Sequence, residues 1–324
     1  MNVIIPAAGI GSRLRPHTHT IPKALLHVAG KPILAHILDS VVRLTPKEIC
    51  LVTGFLGEQV QEFVGERYPS RIRFVEQTEL LGLGYAIHLA LKEIDDQPIL
   101  IVLGDTIVET DMLDFISQGD NVLGLRPVDD PQRFGIAEVE NGIVKSLEEK
   151  PAKPSSNLAI IGLYFISETA RLRSHLNELV ESSIDTDGEI QLTDALQSMI
   201  TEGSVFKAHP VEGWYDCGKR ETLIATNRHL LQKHASPQSR EGSVIISPSY
   251  ISPSATVENS IIGPFVSISD RAVIKNAIIR NSIIGYEAEV RNALLTDSLV
   301  GHRAVVFGDF RELNVGDSSE IGYF

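Results

Sequence analysis

Through the first 235 residues, short apolar runs of β type alternate with stretches of helical period. Asn2 to Pro6, Ile49 to Val52, Ile72 to Val75 and Ile99 to Leu103 read as strands, and Ile33 to Leu44, Tyr85 to Ile94 and Lys219 to Lys233 as helices. That alternation predicts an α/β domain, Rossmann-like, with a mostly parallel mixed sheet flanked by helices. Sheets of this kind place ligands at the carboxyl ends of their strands. From about Ser243 the texture changes. Aliphatic residues recur every five or six positions, at Ile251, Val257, Ile262, Ile268, Ile274, Ile279, Ile284, Val290, Leu295 and Val300. This is the hexapeptide period of a parallel β-helix, reinforced by the related pieces Asn259-Ser260-Ile261-Ile262-Gly263, Asn281-Ser282-Ile283-Ile284-Gly285 and Asp297-Ser298-Leu299-Val300-Gly301. The strands of an irregular β-sandwich are the competing reading. The polar stretch Gln232 to Gly242, with Pro237, reads as a linker. The expected division is therefore a first domain over 1–235, a linker over 236–242 and a repeat domain over 243–324.

Composition narrows the function. The chain has 324 residues, 43% of them hydrophobic and 22% charged, as in an ordinary globular protein. No apolar run approaches the roughly 18 residues of a spanning helix, and Asn2 to Ala8 is too short for a signal-peptide core. With Cys50 and Cys217 as its only cysteines, the chain has no disulfide framework or multi-cysteine zinc site, which fits the cytoplasm. A net charge of −13 disfavours nucleic acid and anionic membranes as partners. An anionic ligand would need a local positive site. One is present: the first acidic residue is Asp39, and by composition so long an acid-free start has a chance of about 1 in 200. The window holds Arg13, Arg15, Lys23, Lys31, His17 and His19. A basic surface arm is the plain alternative.

Pro6-Ala7-Ala8-Gly9-Ile10-Gly11-Ser12-Arg13-Leu14-Arg15-Pro16 follows the first strand. Its glycines let the backbone approach a ligand and turn N–H groups toward phosphate oxygens, and Arg13 can give a forked contact. It is neither a Walker loop nor a dinucleotide fingerprint, for Leu14 stands where the latter needs a third glycine. Asp105, at the carboxyl end of the buried run Ile99 to Leu103, suits either a cation or the cap of a turn. Asp216, just before the helical stretch at Lys219, has the same two readings. Cys217 reads as a packing residue.

The glycine loop, together with Pro22-Lys23-Ala24-Leu25-Leu26 and Gly30-Lys31-Pro32-Ile33-Leu34, resembles the opening signature of the sugar-1-phosphate nucleotidyltransferases. The resemblance implies that Ala8, Gly9, Gly11 and Ser12 wrap a nucleoside triphosphate, that Arg13 holds its pyrophosphate portion, and that Lys23 neutralises charge near the reacting phosphates. Glu76 to Ala86 is similar to the family's base-recognition element, which makes Gln77 and Gly82 the base contacts, although alone it reads equally as a glycine-rich strand-to-helix loop. Trp214-Tyr215-Asp216-Cys217-Gly218 resembles the element whose aspartate joins Asp105 on Mg²⁺.

Three further segments, Arg133 to Val139, Glu148 to Pro151 and Ser156 to Phe165, resemble those that enclose the sugar phosphate. They bring in Gly135 and Glu149 on sugar hydroxyls, Lys150 on the phosphate, and Gly162 and Tyr164 beside them. Asp187 departs from the pattern, since thymidylyltransferases usually carry an arginine there. Gly188-Glu189-Ile190-Gln191-Leu192-Thr193-Asp194 and Gly82-Leu83-Gly84 look more like bacterial uridylyltransferases.

The arrangement as a whole resembles long-form glucose-1-phosphate thymidylyltransferases, with a left-handed β-helix behind the catalytic domain. Its closing Leu313 to Ser319 also looks like that subgroup. The resemblance implies dTTP or UTP and glucose-1-phosphate as substrates and Mg²⁺ as cofactor, and because stacked coils expose regular faces the repeats are expected to serve as an assembly surface for a homo-oligomer. Two alternatives stand beside it: a non-catalytic subunit of sugar-nucleotide synthesis, and an acyltransferase β-helix, for which the repeats offer only His302 as a base.

Overall fold

A computed structural model describes residues 1–68, 71–183 and 188–308. Asp187 and Leu313 to Ser319 lie outside the described residues. Two compact units divide the chain, Met1–Thr226 and Asn227–Phe324.

The first unit begins as its apolar runs predict, with strand β1 (Asn2–Pro6), a small hairpin of β2 (His27–Val28) and β3 (Lys31–Pro32), and helix α1 (Ile33–Val41). Strand β4 (Ile49–Thr53), α2 (Gly57–Arg67), β5 (Ile72–Glu76), α3 (Leu83–Glu93) and β6 (Ile99–Val102) follow. Next come β7 (Thr106–Glu109), α4 (Met112–Ser117), β8 (Asn121–Pro127), β9 (Gly135–Glu140), β10 (Ile143–Glu149) and β11 (Leu158–Ile166). Helices α5 (Thr169–Ser183) and α6 (Leu192–Thr201), strands β12 (Lys207–Pro210) and β13 (Gly213–Asp216), and helix α7 (Arg220–His234) complete the series.

Nine of these strands form one sheet in the order β5-β4-β1-β6-β11-β8-β12-β10-β9. The sheet is mixed rather than mostly parallel. β5, β4, β1 and β6 are parallel, as are β8 and β12, whereas β11 runs against β6, β8 and β9, and β10 against β9 and β12. The local reason is a hairpin. Asn141 (φ +52°) and Gly142 (φ +77°) alone separate β9 from β10, the two-residue turn that an Asn-Gly pair favours because both positions need left-handed backbone. Such a turn forces antiparallel neighbours.

One face of the sheet packs Ile4, Cys50, Val52 and Ile101 against Ile87 and Leu91 of α3, Leu172 and Leu176 of α5, and Leu196 and Met199 of α6. Each of these side chains is excluded from water, so the alternation of small β-type runs and helical stripes is the pattern of a shared core. The paired acid-free basic window is partly spent on structure: Lys31 is bonded to Asp39, which also accepts from the Tyr68 hydroxyl at 2.9 Å. Cys50 and Cys217 are both buried, and burial pushes both thiols up to about 12. That agrees with the packing reading of Cys217.

Among the described residues of the second unit, twelve short strands form three four-stranded parallel sheets, and paired residues stand 16 or 17 positions apart: Val244 with Ile261, Ile261 with Ile278, Ile278 with Leu294. The interior is the periodic series itself, for Ile251, Val257, Ile262, Ile268, Ile274, Ile279, Ile284, Val290 and Val300 are all buried in one cluster, with Leu295 partly so. Corners fall at Asn276 and Asn292, both at positive φ and joined by an amide hydrogen bond of 3.1 Å; asparagine tolerates that backbone better than most residues. The second compact unit takes in the end of α7, where the buried Asn227 donates to the Phe265 carbonyl and accepts from the Ser267 hydroxyl at 2.6 Å.

Candidate active site

The site grows from the carboxyl ends of the central strands. Beyond β1 the chain is held on both sides, Ala7 N–H donating to the Val52 carbonyl and Gly104 N–H to that of Pro6. The loop from Ala8 then turns through Gly11, whose φ of +67° is left-handed and whose missing Cβ would lie 3.0 Å from the Lys23 side chain. Thr18 ties this turn down by donating its hydroxyl to the Gly11 carbonyl at 2.8 Å, and buried Leu14 anchors the short 3₁₀ turn Ser12–Leu14. Arg13 is thereby carried on a fixed turn.

A cavity of about 520 Å³ opens there, a size that suits a small-molecule ligand. Ala8, Gly9, Gly11, Ser12, Arg13, Lys23, Gln77, Gly82, Asp105 and Asp216 all line it. Ten residues spread over more than 200 positions thus meet in one place. Arg15, a member of the basic window, also lines it, as do Leu80 and Glu189, which the sequence did not single out for a role in the site.

The two aspartates meet because β7 and β13 form a separate antiparallel ribbon that pairs Thr106 with Asp216. Lys23 Nζ donates to Asp105 Oδ2 at 2.5 Å, and the Thr106 hydroxyl donates to Oδ1 at 3.1 Å. Burial pushes the Asp105 carboxyl up, but the charge and hydrogen bond of Lys23, with help from Thr106, outweigh it and hold it below the ordinary carboxylate range. Asp216 shifts the other way. Burial, then the charge of Asp105, raise it despite Lys23, the Gly218 N–H at 2.8 Å and Arg13. The cavity therefore gathers the guanidinium groups of Arg13 and Arg15 and the Lys23 ammonium with the carboxylates of Asp105, Asp216 and Glu189. That arrangement can bind a polyanion, and its aspartates are hard oxygen donors. Among the described residues no group of three or more His, Cys, Asp or Glu side chains forms a metal cage.

Gly135, Glu149, Lys150, Gly162 and Tyr164 do not line this cavity. Gly135 and Glu149 are cross-strand partners on β9 and β10, and a Cβ on Gly135 would lie 2.9 Å from Glu149 Oε2. Lys150 Nζ stands 3.7 Å from Glu149 Oε1. Tyr164 is buried within the core cluster, its hydroxyl pushed above the ordinary range by burial and then by the Glu149 charge. Gly162 sits at an irregularity of β11, its carbonyl accepting from Leu103 N–H at 3.0 Å, while Leu103 itself lines the cavity. Phe134 packs edge-on against Trp214, ring centroids 5.4 Å apart, which ties this second cluster to the ribbon bearing Asp216.

The segment Gly188-Glu189-Ile190-Gln191 shapes the cavity mechanically as well as lining it with Glu189. Ile190 N–H donates to the Leu81 carbonyl at 2.7 Å and its carbonyl accepts from Gly84 N–H at 2.8 Å. Cβ atoms on Gly82 and Gly84 would lie 2.7 and 2.8 Å from that carbonyl. The glycines at 82 and 84 are spaced for this docked segment, a requirement that sequence shows only as a glycine pair.

A profile of the nucleotidyl transferase family matches residues 2–233. A low-salt glycan biosynthesis nucleotidyltransferase of Haloferax volcanii is 35% identical over 242 residues, covering 72% of this chain and 66% of its own length. A glucose-1-phosphate thymidylyltransferase of Streptomyces antibioticus is 30% identical over 317 residues, 88% of this chain and 87% of its own, so that likeness extends into the second unit. Among solved structures, a Bacillus anthracis protein described as a glucose-1-phosphate thymidylyltransferase, in complex with a sucrose, superposes with a TM-score of 0.63 at 26% identity, covering 74% of this chain and 98% of that one. The chain belongs to the sugar-1-phosphate nucleotidyltransferase family. Among the described residues no helix is long and apolar enough to cross a membrane.

Gly82→Ala tests the docked segment. The added Cβ meets the Ile190 carbonyl in a backbone with φ +96°, and the expected loss is about 1–3 kcal/mol of stability in urea denaturation; an unchanged midpoint would contradict the docking.

Proposed function

We propose that the protein transfers a nucleotidyl group from dTTP or UTP to glucose-1-phosphate, releasing pyrophosphate. The observation that carries this reading is the meeting of the glycine loop, Arg13, Lys23, Asp105 and Asp216 in one cavity. A phosphate oxygen of the sugar-1-phosphate attacks the α-phosphorus in line, the bond from that phosphorus to the bridging oxygen of the β-phosphate breaks, and the electron pair leaves with pyrophosphate. Backbone N–H groups of the loop at Gly9 and Gly11 receive phosphate oxygens, Arg13 holds the leaving pyrophosphate, and Lys23 offsets charge at the α-phosphate. No covalent intermediate on the protein is required. Gln77 and Gly82 face the base, and the cluster of Gly135, Glu149 and Lys150 takes the sugar phosphate, with Glu149 on hydroxyls and Lys150 on the phosphate.

Asp105 and Asp216 fit Mg²⁺. They are hard oxygen donors crowded closely enough for one to raise the other, and this ion commonly takes one or two carboxylates and completes its shell with substrate phosphates and water. When bound there, Mg²⁺ supplies positive charge to the phosphate oxygens.

The second unit is read as a left-handed β-helix whose outer face assembles copies of the chain. Its support is a ladder of aliphatic side chains in register, Val244, Ile261, Ile278 and Leu294, with Val244 57% and Leu294 79% exposed. A working site in the cytoplasm suits the two reduced, buried thiols.

Offered Mg²⁺ and glucose-1-phosphate with each of dTTP, UTP, CTP, ATP and GTP, the purified protein is expected to release pyrophosphate with one or both of the first two; silence with all five would overturn the reading. Asp105→Asn should cut turnover by about 10²-fold or more while leaving the circular dichroism spectrum unchanged, and near-normal turnover would remove Asp105 from the site. Leu294→Lys should lower the mass seen by light scattering, and a wild-type mass equal to one chain would remove the assembly role.

A further inference from the structure

Helix α6 lies along strand β10 and is bonded to it at two rungs. Gln197 Oε1 accepts from the Leu147 N–H at 2.6 Å, and Thr193 Oγ1 donates to Glu149 Oε2 at 2.7 Å. The spacing is a match of two periods. Four residues of helix advance about 6 Å and two residues of strand about 6.6 Å, so positions 193 and 197 meet positions 149 and 147 without distortion. The lower rung is backbone support. The upper rung grips a carboxylate that the strand ladder leaves unbonded.

That carboxylate is held on both oxygens. Thr193, buried, occupies one lone pair of Oε2, and Lys150 stands beside Oε1. Space over the carboxylate is kept by Gly135, where a Cβ would lie 2.9 Å from Glu149 Oε2 and 3.0 Å from Thr193 Oγ1. A side chain at 135 would fill that place. With 21% of its side chain exposed, Glu149 retains lone pairs facing outward for a ligand hydroxyl.

We propose that Thr193 is a positioning residue, fixing the Glu149 carboxylate in the orientation that receives a sugar hydroxyl; this rests on the nucleotidyl-transfer reading above. In this reading Thr193, buried, acts through Glu149. Its hydroxyl removes the freedom of the Glu149 carboxylate to rotate toward Lys150, so the ordering cost is met before the sugar phosphate arrives. The two rungs separate positioning from mere support, because Gln197 holds the same strand without contacting the carboxylate.

Steady-state kinetics of the full chain, by pyrophosphate release with glucose-1-phosphate and its preferred nucleotide, test this. Thr193→Val should raise KM for glucose-1-phosphate about tenfold with the nucleotide KM unchanged, and Thr193→Ser should restore most of it. Gln197→Ala should lower Tm while leaving both KM values near wild type. Thr193→Ala carries the same test should the valine variant fail to fold. An unchanged sugar-phosphate KM in the hydroxyl-free variant, or equal rises in both KM values, would overturn the inference. Silence of the wild type would overturn the nucleotidyl-transfer reading itself, and is distinguished from failure of the inference, which requires an active wild type.

Discussion

The ion pair between Lys23 and Asp105, 2.5 Å long, is the contact on which the arrangement of the site depends. It joins the acid-free start of the chain to the acidic end of β6, and it does so where Lys23 is only 12% exposed. A chain of net charge −13 repels anions in general. It can receive a triphosphate only where cations are gathered and held, and the same carboxylates that hold them are the groups a divalent cation would use. Removing Asp105 would leave the largely shielded Lys23 ammonium without its carboxylate, whereas Asp105 itself keeps 42% of its side chain exposed.

The geometry around the pair follows from ordinary backbone physics. Parallel β1, β4 and β6 end at one edge, a left-handed glycine turns the loop back over that edge, and a two-stranded ribbon brings Asp216 beside Asp105. On the other half of the sheet the hairpin of β9 and β10 presents Gly135 and Glu149 side by side, outside the cavity. In the proposed reaction, charge neutralisation falls to the cavity and hydroxyl recognition to this hairpin.

Much of this was legible in the chain. Apolar runs gave β1, β4, β5 and β6 nearly to the residue, the five-to-six-residue period gave the interior of the second unit, and the glycine loop with Arg13 and Lys23 pointed to the cavity that contains them. What escaped depends on pairing between distant segments. Nothing local to Asp105 or Asp216 says that β7 and β13 pair, and nothing local to Thr193 says that its hydroxyl reaches Glu149. Lys31 counted toward the positive window, yet Asp39 neutralises it. The Asn141-Gly142 pair carries the chemistry of a two-residue hairpin turn and so marks the antiparallel β9–β10 pair, whereas helix–strand alternation points to parallel neighbours.

The central claim is that a sugar-phosphate oxygen attacks the α-phosphorus of a nucleotide held in this cavity. Glucose-1-phosphate labelled with ¹⁸O in its non-bridging phosphate oxygens tests it directly, by mass spectrometry and phosphorus NMR of the products. The account predicts ¹⁸O in the new bridge between the two phosphorus atoms of the sugar nucleotide and none in pyrophosphate. Label in pyrophosphate, or a sugar nucleotide whose bridge is unlabelled, would contradict it.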